Sequence, residues 1–528
     1  MRSQTEHIRK QENVHAPART AMSRRQALGL MTTAAASVAA GLPLVSRSQE
    51  PDLPALTVSP EPRFELSPFL FMQFMEPLGT TDSSVEAAWD HLRDRWRPDL
   101  VSATRDLAPT MLRWGGIFAD FYRWREGVGS RAQRPPMFNL CWGGVESNQV
   151  GTAEFVDLAR QAAAEPLICV NFESDGRKQF MEAKGSIRTA DAREAADWVA
   201  YCNAPGHAER QAHGREDPLG VRYWQIGNET SYDRNGFDLE TAATKTVEFA
   251  KAMRRADPTI QLIGWGDSGW TARMTEIAGE HLQFLAFHHM FDPDNRQQPV
   301  LRGELYRRDP DATWHQLMEA WKINDRKIRE ARESQGRSPL PLAMTECHFA
   351  IPGRNRCDVL STWAAGVSYA RLLVNHQRHG DVLKIATAAD FCGTRWQVNA
   401  VMIPVPGGQA YLMPVARVMR LFRQHIGSQA VSVSQLPDGL DGVASRRGQK
   451  LFLHVVNTRR TRAIRAQLGI AGGRITGGRV IQIADEPMVE VSQLNSASVM
   501  QPVEKPLPPD GTWSFPAASV SVVEVDFV

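Results

Sequence analysis

The chain has almost no excess of charge of either sign. Its 528 residues include 61 Lys and Arg against 59 Asp and Glu, which gives a formal net charge of +2. Nucleic acids and anionic membranes are bound by strongly basic surfaces. A nearly equal number of positive and negative residues does not predict such a surface. We therefore expect neither kind of partner.

Motifs for metals and disulfides are also missing. None of the six cysteines forms a CxxC pair, and a chain of this length does not need disulfide cross-links to fold. The pair His288-His289 and the later His348 lack the ligand spacing of a zinc site. The sequence therefore predicts no metal site and no organic cofactor.

Long apolar runs are absent after residue 45, so we expect a mature protein without a membrane span. Near the N-terminus, Arg24 and Arg25 precede a mild, Ala-rich apolar run over residues 29–45. A charged segment followed by such a run is typical of a signal peptide, and the paired arginines resemble a twin-arginine signal. We expect residues 1–45 to direct export to the periplasm or the medium. Residues 46–63 would then form a linker or a leading strand.

Short apolar runs alternate with helical patterns between residues 64 and 426. This alternation predicts parallel βαβ units, and about eight of them match a (β/α)8 TIM barrel, an α/β fold. A doubly wound open sheet is the main alternative, but no GxGxxG motif follows the first strand. From residue 427 to 528, short strands separated by Gly, Pro and Asp predict a C-terminal antiparallel β-sandwich.

Two glutamates follow predicted strands of the barrel. Glu229 comes after the predicted strand at residues 221–226, and Glu346 comes after the predicted strand at residues 340–345. By position these are the fourth and seventh strands, whose C-terminal ends face each other across the mouth where barrel enzymes hold their active sites. Glycoside cleavage needs two carboxyl groups, one as acid/base and one as nucleophile, about 5–5.5 Å apart in a retaining enzyme. A lone glutamate after a strand is usually a helix cap or an ion-pair partner, but two matched positions favour catalysis.

Several motifs in order resemble clan A glycoside hydrolases, and more closely family 51, the α-L-arabinofuranosidases. The resemblance extends from about residue 69 to residue 290. The segments that carry it are Phe74-Met75-Glu76, Leu112-Arg113-Trp114-Gly115-Gly116, residues 142–151, residues 165–171, and Tyr223-Trp224-Gln225-Ile226-Gly227-Asn228-Glu229. The family's fold, a (β/α)8 barrel with a β-sandwich, agrees with the pattern described above. Fourteen Trp against seven Tyr also suit sugar stacking, although core packing explains most individual Trp residues.

The resemblance implies roles for individual residues. Glu229 would be the acid/base and Glu346 the nucleophile, with Arg113 beneath Glu346 to keep it ionised. For Arg113 a purely structural salt bridge is the alternative, and for His288, which matches a family histidine, the alternative is an ordinary buried histidine. The other substrate-binding residues that the resemblance implies are Glu76, Asn171, Asn228 and His288. Three further candidates, among which register does not choose, are Asp390, Trp396 and Gln397.

Departures from the family pattern bear on the substrate. Ile117 stands where the family commonly has an Asn that touches the sugar, Met290 stands where it usually has a Tyr, and residues 172–189 look inserted. We expect an exported α-L-arabinofuranosidase that acts on oligo- or polysaccharide. An endo-glucanase or β-xylosidase on the same scaffold and a carbohydrate-binding protein without catalysis are alternatives. Self-association into a homo-oligomer, common in the family, also stays open.

Overall fold

The computed structural model describes residues 53–172, 190–232, 237–336, 340–353 and 357–528. The expected export signal at residues 1–45, and all of the apparent insertion except residue 172, lie outside the described residues. In the described part of the chain, every helix is too short or too polar to span a lipid bilayer.

The described residues form strands and helices in the following chain order. The strands are β1 (Ala55–Glu65), β2 (Gln73–Met75), β3 (Trp89–Asp90), β4 (Arg95–Trp96), β5 (Met111–Trp114), β6 (Met137–Phe138), β7 (Val145–Glu146), β8 (Glu165–Val170), β9 (Tyr223–Ile226), β10 (Gln261–Trp265), β11 (Phe284–Phe291), β12 (Leu342–Phe349), β13 (Leu383–Ala386), β14 (Asp390–Gly393), β15 (Asn399–Met402), β16 (Tyr411–Leu412), β17 (Gln429–Gln435), β18 (Leu440–Arg447), β19 (Lys450–Asn457), β20 (Ile464–Ile470), β21 (Ile475–Ala484), β22 (Val503–Pro506), β23 (Thr512–Phe515) and β24 (Ser519–Phe527). The α-helices are α1 (Gly79–Asp82), α2 (Ser84–Ala88), α3 (Pro98–Leu107), α4 (Thr152–Gln161), α5 (Ala192–Asn203), α6 (Ala208–Ala212), α7 (Leu239–Ala256), α8 (Thr271–Ala278), α9 (Pro310–Glu319), α10 (Trp321–Glu333), α11 (Trp363–Arg378) and α12 (Pro414–Gln424). Short 3₁₀ helices cover Pro68–Phe71, Ile117–Asp120, Trp124–Gly127, Arg131–Gln133, Gly279–His281, Leu305–Arg307 and Asp358–Ser361.

Eight parallel strands form the barrel, in the order β2, β5, β8, β9, β10, β11, β12 and β13. The sheet curls closed where the backbone N–H of Met72, just before β2, donates to the carbonyl of Ala386 at the end of β13, at 3.0 Å. The predicted (β/α)8 barrel is therefore confirmed. One addition was not predicted: β14 pairs in parallel with β2 and carries β15 and β16 beyond it.

The interior of the barrel explains why its strands are continuous apolar runs. A separate core cluster inside it includes Met111, Leu167, Ile263, Ala343 and Ile385, one from each of five strands. Barrel strands are covered by helices outside and by each other's side chains inside, so both faces of each strand must be apolar. Polar residues are left for the strand ends, where the site lies.

The second sheet has nine strands in the order β22, β21, β24, β19, β18, β17, β1, β20 and β23. Its neighbours are antiparallel except for the parallel pair β1 and β20, so the largely antiparallel C-terminal sheet is confirmed. The strand β1 comes from the region read as a linker or leading strand. It inserts between β17 and β20 because Leu56 and Val58 point into this sheet's core.

The helix α11 joins the two sheets. It begins at Thr362, whose hydroxyl accepts from the backbone N–H of Ala365, and nearly all its side chains are buried. Trp363 donates its indole N–H to the carbonyl of Ala518 at 2.6 Å, and the guanidinium of Arg371 donates to Asp441 at 2.8 Å. These hydrogen bonds orient α11 in the apolar packing between the barrel and the C-terminal sheet.

Candidate active site

The backbone at the end of β9 takes a strained course that presents Glu229 to the barrel mouth. Gly227 has φ +74°, and a side chain there would lie 2.9 Å from Phe172. Glu229 itself has φ +50°, in the left-handed region that a residue with a Cβ occupies at a cost of about 1–2 kcal/mol. Such strain persists where the surrounding structure enforces it, and it is frequent at functional sites.

The two glutamates meet across the mouth. One carboxylate oxygen of Glu229, one of Glu346 and one ring nitrogen of His288 all lie within 4.8 Å of one another. A register shift between Phe287 and His288 places His288 opposite Glu346 on the neighbouring strand. The pairing expected from the fourth and seventh strands is therefore present in the geometry.

Arg113 lies beneath both glutamate-bearing strand ends and is fully buried. Its guanidinium donates to Glu346 Oε1 at 2.9 Å, to Asn228 Oδ1 at 2.7 Å and to Gln225 Oε1 at 2.9 Å. Gly115 leaves room for it, because a Cβ there would lie 3.0 Å from the guanidinium carbon. Arg113 therefore holds Glu346 and Asn228 in fixed positions relative to each other.

Two opposing influences act on Glu346. Burial raises the pKa of this carboxyl group above its ordinary value, and the charge and hydrogen bond of Arg113 oppose that rise. The cation at 2.9 Å thus favours the anionic form of Glu346 in a pocket that otherwise favours the neutral acid.

His288 occupies the space behind the two glutamates. Its side chain is fully buried, with Nδ1 at 2.9 Å from Glu229 Oε1 and at 3.6 Å from Glu346 Oε2, and Nε2 at 2.9 Å from the hydroxyl of Thr345. The structure thus places this residue against the glutamates, away from the cleft surface where a substrate-binding residue was expected. Its position suits orientation of Glu229.

The same three groups lie close enough together to hold a metal ion. Both ring nitrogens of His288 are already engaged, one with Glu229 and the other with Thr345, at ordinary hydrogen-bond distances. We interpret the cluster as a hydrogen-bonded acid pair with its histidine partner.

A cleft of about 570 Å³ opens above the glutamates. It is lined by both glutamates and by residues from several strand ends and loops: Phe74, Glu76, Ile117, Trp142, Tyr232, Met290, His348, residues 349–353, Cys357, Asp390 and Trp396. Ile117 and Met290, the two departures from the family pattern, therefore both face the space where a substrate would bind.

Glu76 projects into this cleft from the end of β2. Its Oε1 accepts from the backbone N–H of Phe118 and from the indole N–H of Trp142, both at 3.0 Å. Gly116, at φ +84°, makes room for the carboxyl group, since a Cβ there would lie 2.3 Å from Cδ of Glu76. Burial, together with the negative charge of Glu346, raises the pKa of Glu76 to about 8. At neutral pH this carboxyl group is mostly protonated and offers a hydrogen-bond donor.

The remaining candidates divide between cleft and core. Trp396 lines the cleft and packs edge-on against Trp142 at 5.4 Å, and Asp390 lines it too, whereas Gln397 is not among the lining residues. Asn171 also lies outside the cleft lining. It is buried, and its amide donates to the carbonyl of Tyr122 at 3.3 Å. Asn228 is buried beside Arg113.

Several lining residues were not predicted as site residues, among them Trp142, Tyr232 and His348. Trp142 belongs to a recognised motif, and its indole contact with Glu76 gives it a place in the site. Tyr232 follows Glu229 by three residues, and its hydroxyl lies 3.4 Å from Asp267. His348 follows Glu346 by two residues, and the two-residue period of a strand turns both side chains to the same face, a signal that the sequence did contain.

Comparison with known proteins relates this architecture to one group of enzymes. A family model described as "Alpha-L-arabinofuranosidase 1 domain" matches residues 103–308. α-L-Arabinofuranosidase C of Emericella nidulans is 31% identical over 238 residues, which are 43% of this chain and 44% of that protein. An exo-α-(1→6)-L-arabinofuranosidase of Bifidobacterium longum is 29% identical over 252 residues, 44% of this chain and 46% of that protein.

The match to these curated relatives spans less than half of their length. A crystal structure of an α-L-arabinofuranosidase from Thermotoga maritima in complex with arabinose matches a larger part of the chain. It covers 90% of this chain and 100% of its own, with a TM-score of 0.70 and 23% identity. At that identity the likeness demonstrates a shared fold, which includes the barrel and the C-terminal sheet.

Proposed function

We propose that the chain belongs to glycoside hydrolase family 51 and is a retaining α-L-arabinofuranosidase that removes terminal arabinofuranosyl residues from oligo- or polysaccharides. The observation that carries the proposal is the approach of Glu229 and Glu346, with carboxylate oxygens within 4.8 Å. Retaining enzymes hold their two carboxyl groups about 5–5.5 Å apart, whereas inverting enzymes need about 6.5–9.5 Å to admit a water molecule.

In the first step, Glu229 donates its proton to the glycosidic oxygen while a carboxylate oxygen of Glu346 attacks the anomeric carbon. The bond to the leaving group breaks, and an ester forms between the sugar and Glu346. In the second step, Glu229 takes a proton from a water molecule, whose oxygen displaces Glu346 from the anomeric carbon. Two displacements return the original configuration at that carbon.

The surrounding residues prepare the two carboxyl groups for different tasks. Arg113 supports the ionised form of Glu346, as a nucleophile requires. His288 holds Glu229 in a single orientation through its Nδ1. Asn228 directly precedes Glu229 and accepts a hydrogen bond from Arg113, and we propose that its amide binds a sugar hydroxyl.

Support for arabinofuranose as the sugar comes from the relatives. The curated relatives are named as arabinofuranosidases, and the family model described as an arabinofuranosidase domain matches residues 103–308, a range that includes Arg113, Glu229 and His288. Ile117 and Met290 line the cleft with apolar side chains, and hydroxyl recognition therefore has to come from other residues. The intact pair of glutamates argues against a binding protein without catalysis.

Hydrolysis of a panel of 4-nitrophenyl glycosides and of xylan and glucan tests the substrate. We expect release of arabinose from the α-L-arabinofuranoside with retained configuration in the first product. Predominant cleavage of glucan or of a xyloside would contradict the arabinofuranosidase assignment and leave the two-carboxylate mechanism in place.

Substitution of the glutamates tests the mechanism. Glu229→Ala and Glu346→Ala should each lower kcat by at least about a hundredfold, since covalent and acid/base steps usually contribute that much or more. Azide, which replaces an acid/base in the second step, should restore turnover of Glu229→Ala with formation of a glycosyl azide of retained configuration. If neither substitution lowers activity this far, the assignment of both residues fails.

We also propose that the protein is exported by a twin-arginine route, on the strength of Arg24-Arg25 and the apolar run that follows. Replacement of both arginines by lysine keeps the charge and should leave the full-length precursor in the cytoplasm. Unchanged appearance of a shortened protein outside the cytoplasm would contradict this route.

A further inference from the structure

Two titratable side chains in the cleft have no part in the mechanism described above. His348 and Asp390 both line the cleft, each with less than a tenth of its surface exposed. His348 Nε2 lies 3.7 Å from Asp390 Oδ1. They face each other beside the nucleophile.

Their positions follow from the strand ends that close the barrel. His348 and Glu346 are two residues apart on β12 and point to the same side. Asp390 begins β14, and its Cα pairs with that of Phe74 on β2, the strand that leads to Glu76. The ends of β12, β14 and β2 thus place Glu346, Asp390 and Glu76 along one side of the mouth.

Electrostatics support this proximity. Burial raises the pKa of both Glu76 and Glu346, and the negative charge of Asp390 raises both further. Asp390 therefore interacts with the reacting carboxylate and with the buried acid on the adjacent strand. A polar group in such a place lies against the sugar whose anomeric carbon Glu346 attacks.

The local geometry suits a hydroxyl group. His348 Nδ1 lies 2.8 Å from the carbonyl oxygen of Phe349, which can only accept, so Nδ1 carries the proton and Nε2 faces Asp390. A separation of 3.7 Å is longer than a hydrogen bond, yet one hydroxyl oxygen placed beside the pair reaches both atoms at about 2.8 Å. When the ring is protonated, Nε2 also donates, so it can donate to the hydroxyl oxygen while the hydroxyl donates its own proton to the carboxylate of Asp390.

We propose that His348 and Asp390 together bind one ring hydroxyl of the sugar that is cleaved at Glu346, and that they determine which sugar is accepted. The proposal rests on the function proposed above. It also explains how a cleft with Ile117 and Met290 on other strand ends selects a polar substrate: the hydroxyl-reading groups lie on the β12–β14–β2 side.

A cycle that combines enzyme variants with deoxy substrates tests the proposal. Asp390→Asn and His348→Gln keep size and polarity, and each should lower kcat/KM about tenfold to a hundredfold on the 4-nitrophenyl glycoside that the wild-type protein cleaves fastest. The same measurements are made on the analogues that lack one ring hydroxyl each. For both variants, the loss of kcat/KM relative to the wild-type protein should nearly disappear on the same analogue. That analogue lacks the hydroxyl that His348 and Asp390 bind.

Asp325→Asn is the matched control, because Asp325 also faces a histidine, His379, at 2.8 Å and does not line the cleft. It should leave the ranking of the deoxy substrates unchanged. An equal loss on every substrate would indicate a structural effect and overturn the proposal, as would coupling of the two variants to different hydroxyls. Since the cycle uses whichever glycoside the wild-type protein cleaves, failure of the arabinofuranoside assignment would be recognised separately in the wild-type panel.

Discussion

Removal of the positive charge beneath Glu346 should move the pH dependence of catalysis. In Arg113→Gln, a neutral amide replaces the guanidinium that lies 2.9 Å from Glu346 Oε1. Two opposite charges about 4 Å apart interact by about 4 kcal/mol at an effective dielectric constant near 20. One pKa unit corresponds to about 1.4 kcal/mol, so the pKa of Glu346 should rise by up to about three units.

The sign of the effect on activity follows from the role of Glu346. The nucleophile must be ionised, so a higher pKa moves the acid limb of the kcat/KM profile to higher pH. At neutral pH the fraction of ionised Glu346 falls by about tenfold for each unit by which the raised pKa exceeds the pH, and kcat/KM should fall in the same proportion. Initial rates with a 4-nitrophenyl α-L-arabinofuranoside across the pH range measure both quantities.

Two further variants separate charge from structure. Arg113→Lys keeps the charge while losing the planar set of three hydrogen bonds, so its acid limb should stay closer to that of the wild-type protein even though kcat falls. Arg125→Gln removes a half-exposed arginine whose partner Asp197 is equally exposed, and it should leave the profile unchanged. Removing one partner of a buried pair costs about 3–5 kcal/mol of stability, so thermal unfolding must first establish that Arg113→Gln is folded. An acid limb of Arg113→Gln at the wild-type position would refute the reasoning.

Three other predictions concern stability, all measured by chemical or thermal unfolding. Because the pKa of Glu76 is raised to about 8, the folded state retains a proton that the unfolded chain releases near pH 4.5. The free energy of unfolding should therefore fall by about 1.4 kcal/mol per pH unit between these values, and Glu76→Gln should flatten this decline. Parallel pH curves for the variant and the wild-type protein would contradict the prediction. Gly116→Ala should destabilise the fold by more than Gly472→Ala, because both positions have positive φ but only the first would press a Cβ against Glu76; equal losses would show that the clash is relieved. Leu56→Ala in β1 should cost about 2–5 kcal/mol, as expected for a leucine in the core of the C-terminal sheet, and a negligible loss would mean that β1 is dispensable.

The barrel and the convergence of its two glutamates could be predicted because both depend on local patterns. Each strand is an apolar run that ends in polar residues, and the regular right-handed βαβ connection fixes which strand ends face each other. Glu229 and Glu346 needed no further information to be placed at one mouth. The Arg113 contact with Glu346 followed from the resemblance in the same way.

Other features depend on contacts between distant segments. The strand β1 pairs with β17 and β20, which lie more than 350 residues later in the chain, and apolar alternation alone does not choose a partner. A register shift between Phe287 and His288 sets His288 opposite Glu346, and its ring contacts Glu229. Register alone likewise left Asp390 and Gln397 equivalent, and only the pairing of β14 with β2 distinguishes them.

The covalent intermediate provides the most direct test of the central claim. Glu229→Ala, incubated with a 2,4-dinitrophenyl α-L-arabinofuranoside whose leaving group needs no acid, should accumulate a glycosyl-enzyme. Peptide mass spectrometry after denaturation at low pH should find one anhydropentose attached to the peptide that contains Glu346, and the adduct should be absent from Glu346→Ala. An adduct on Glu76 or Asp390, or turnover with no adduct and an inverted first product, would contradict the account.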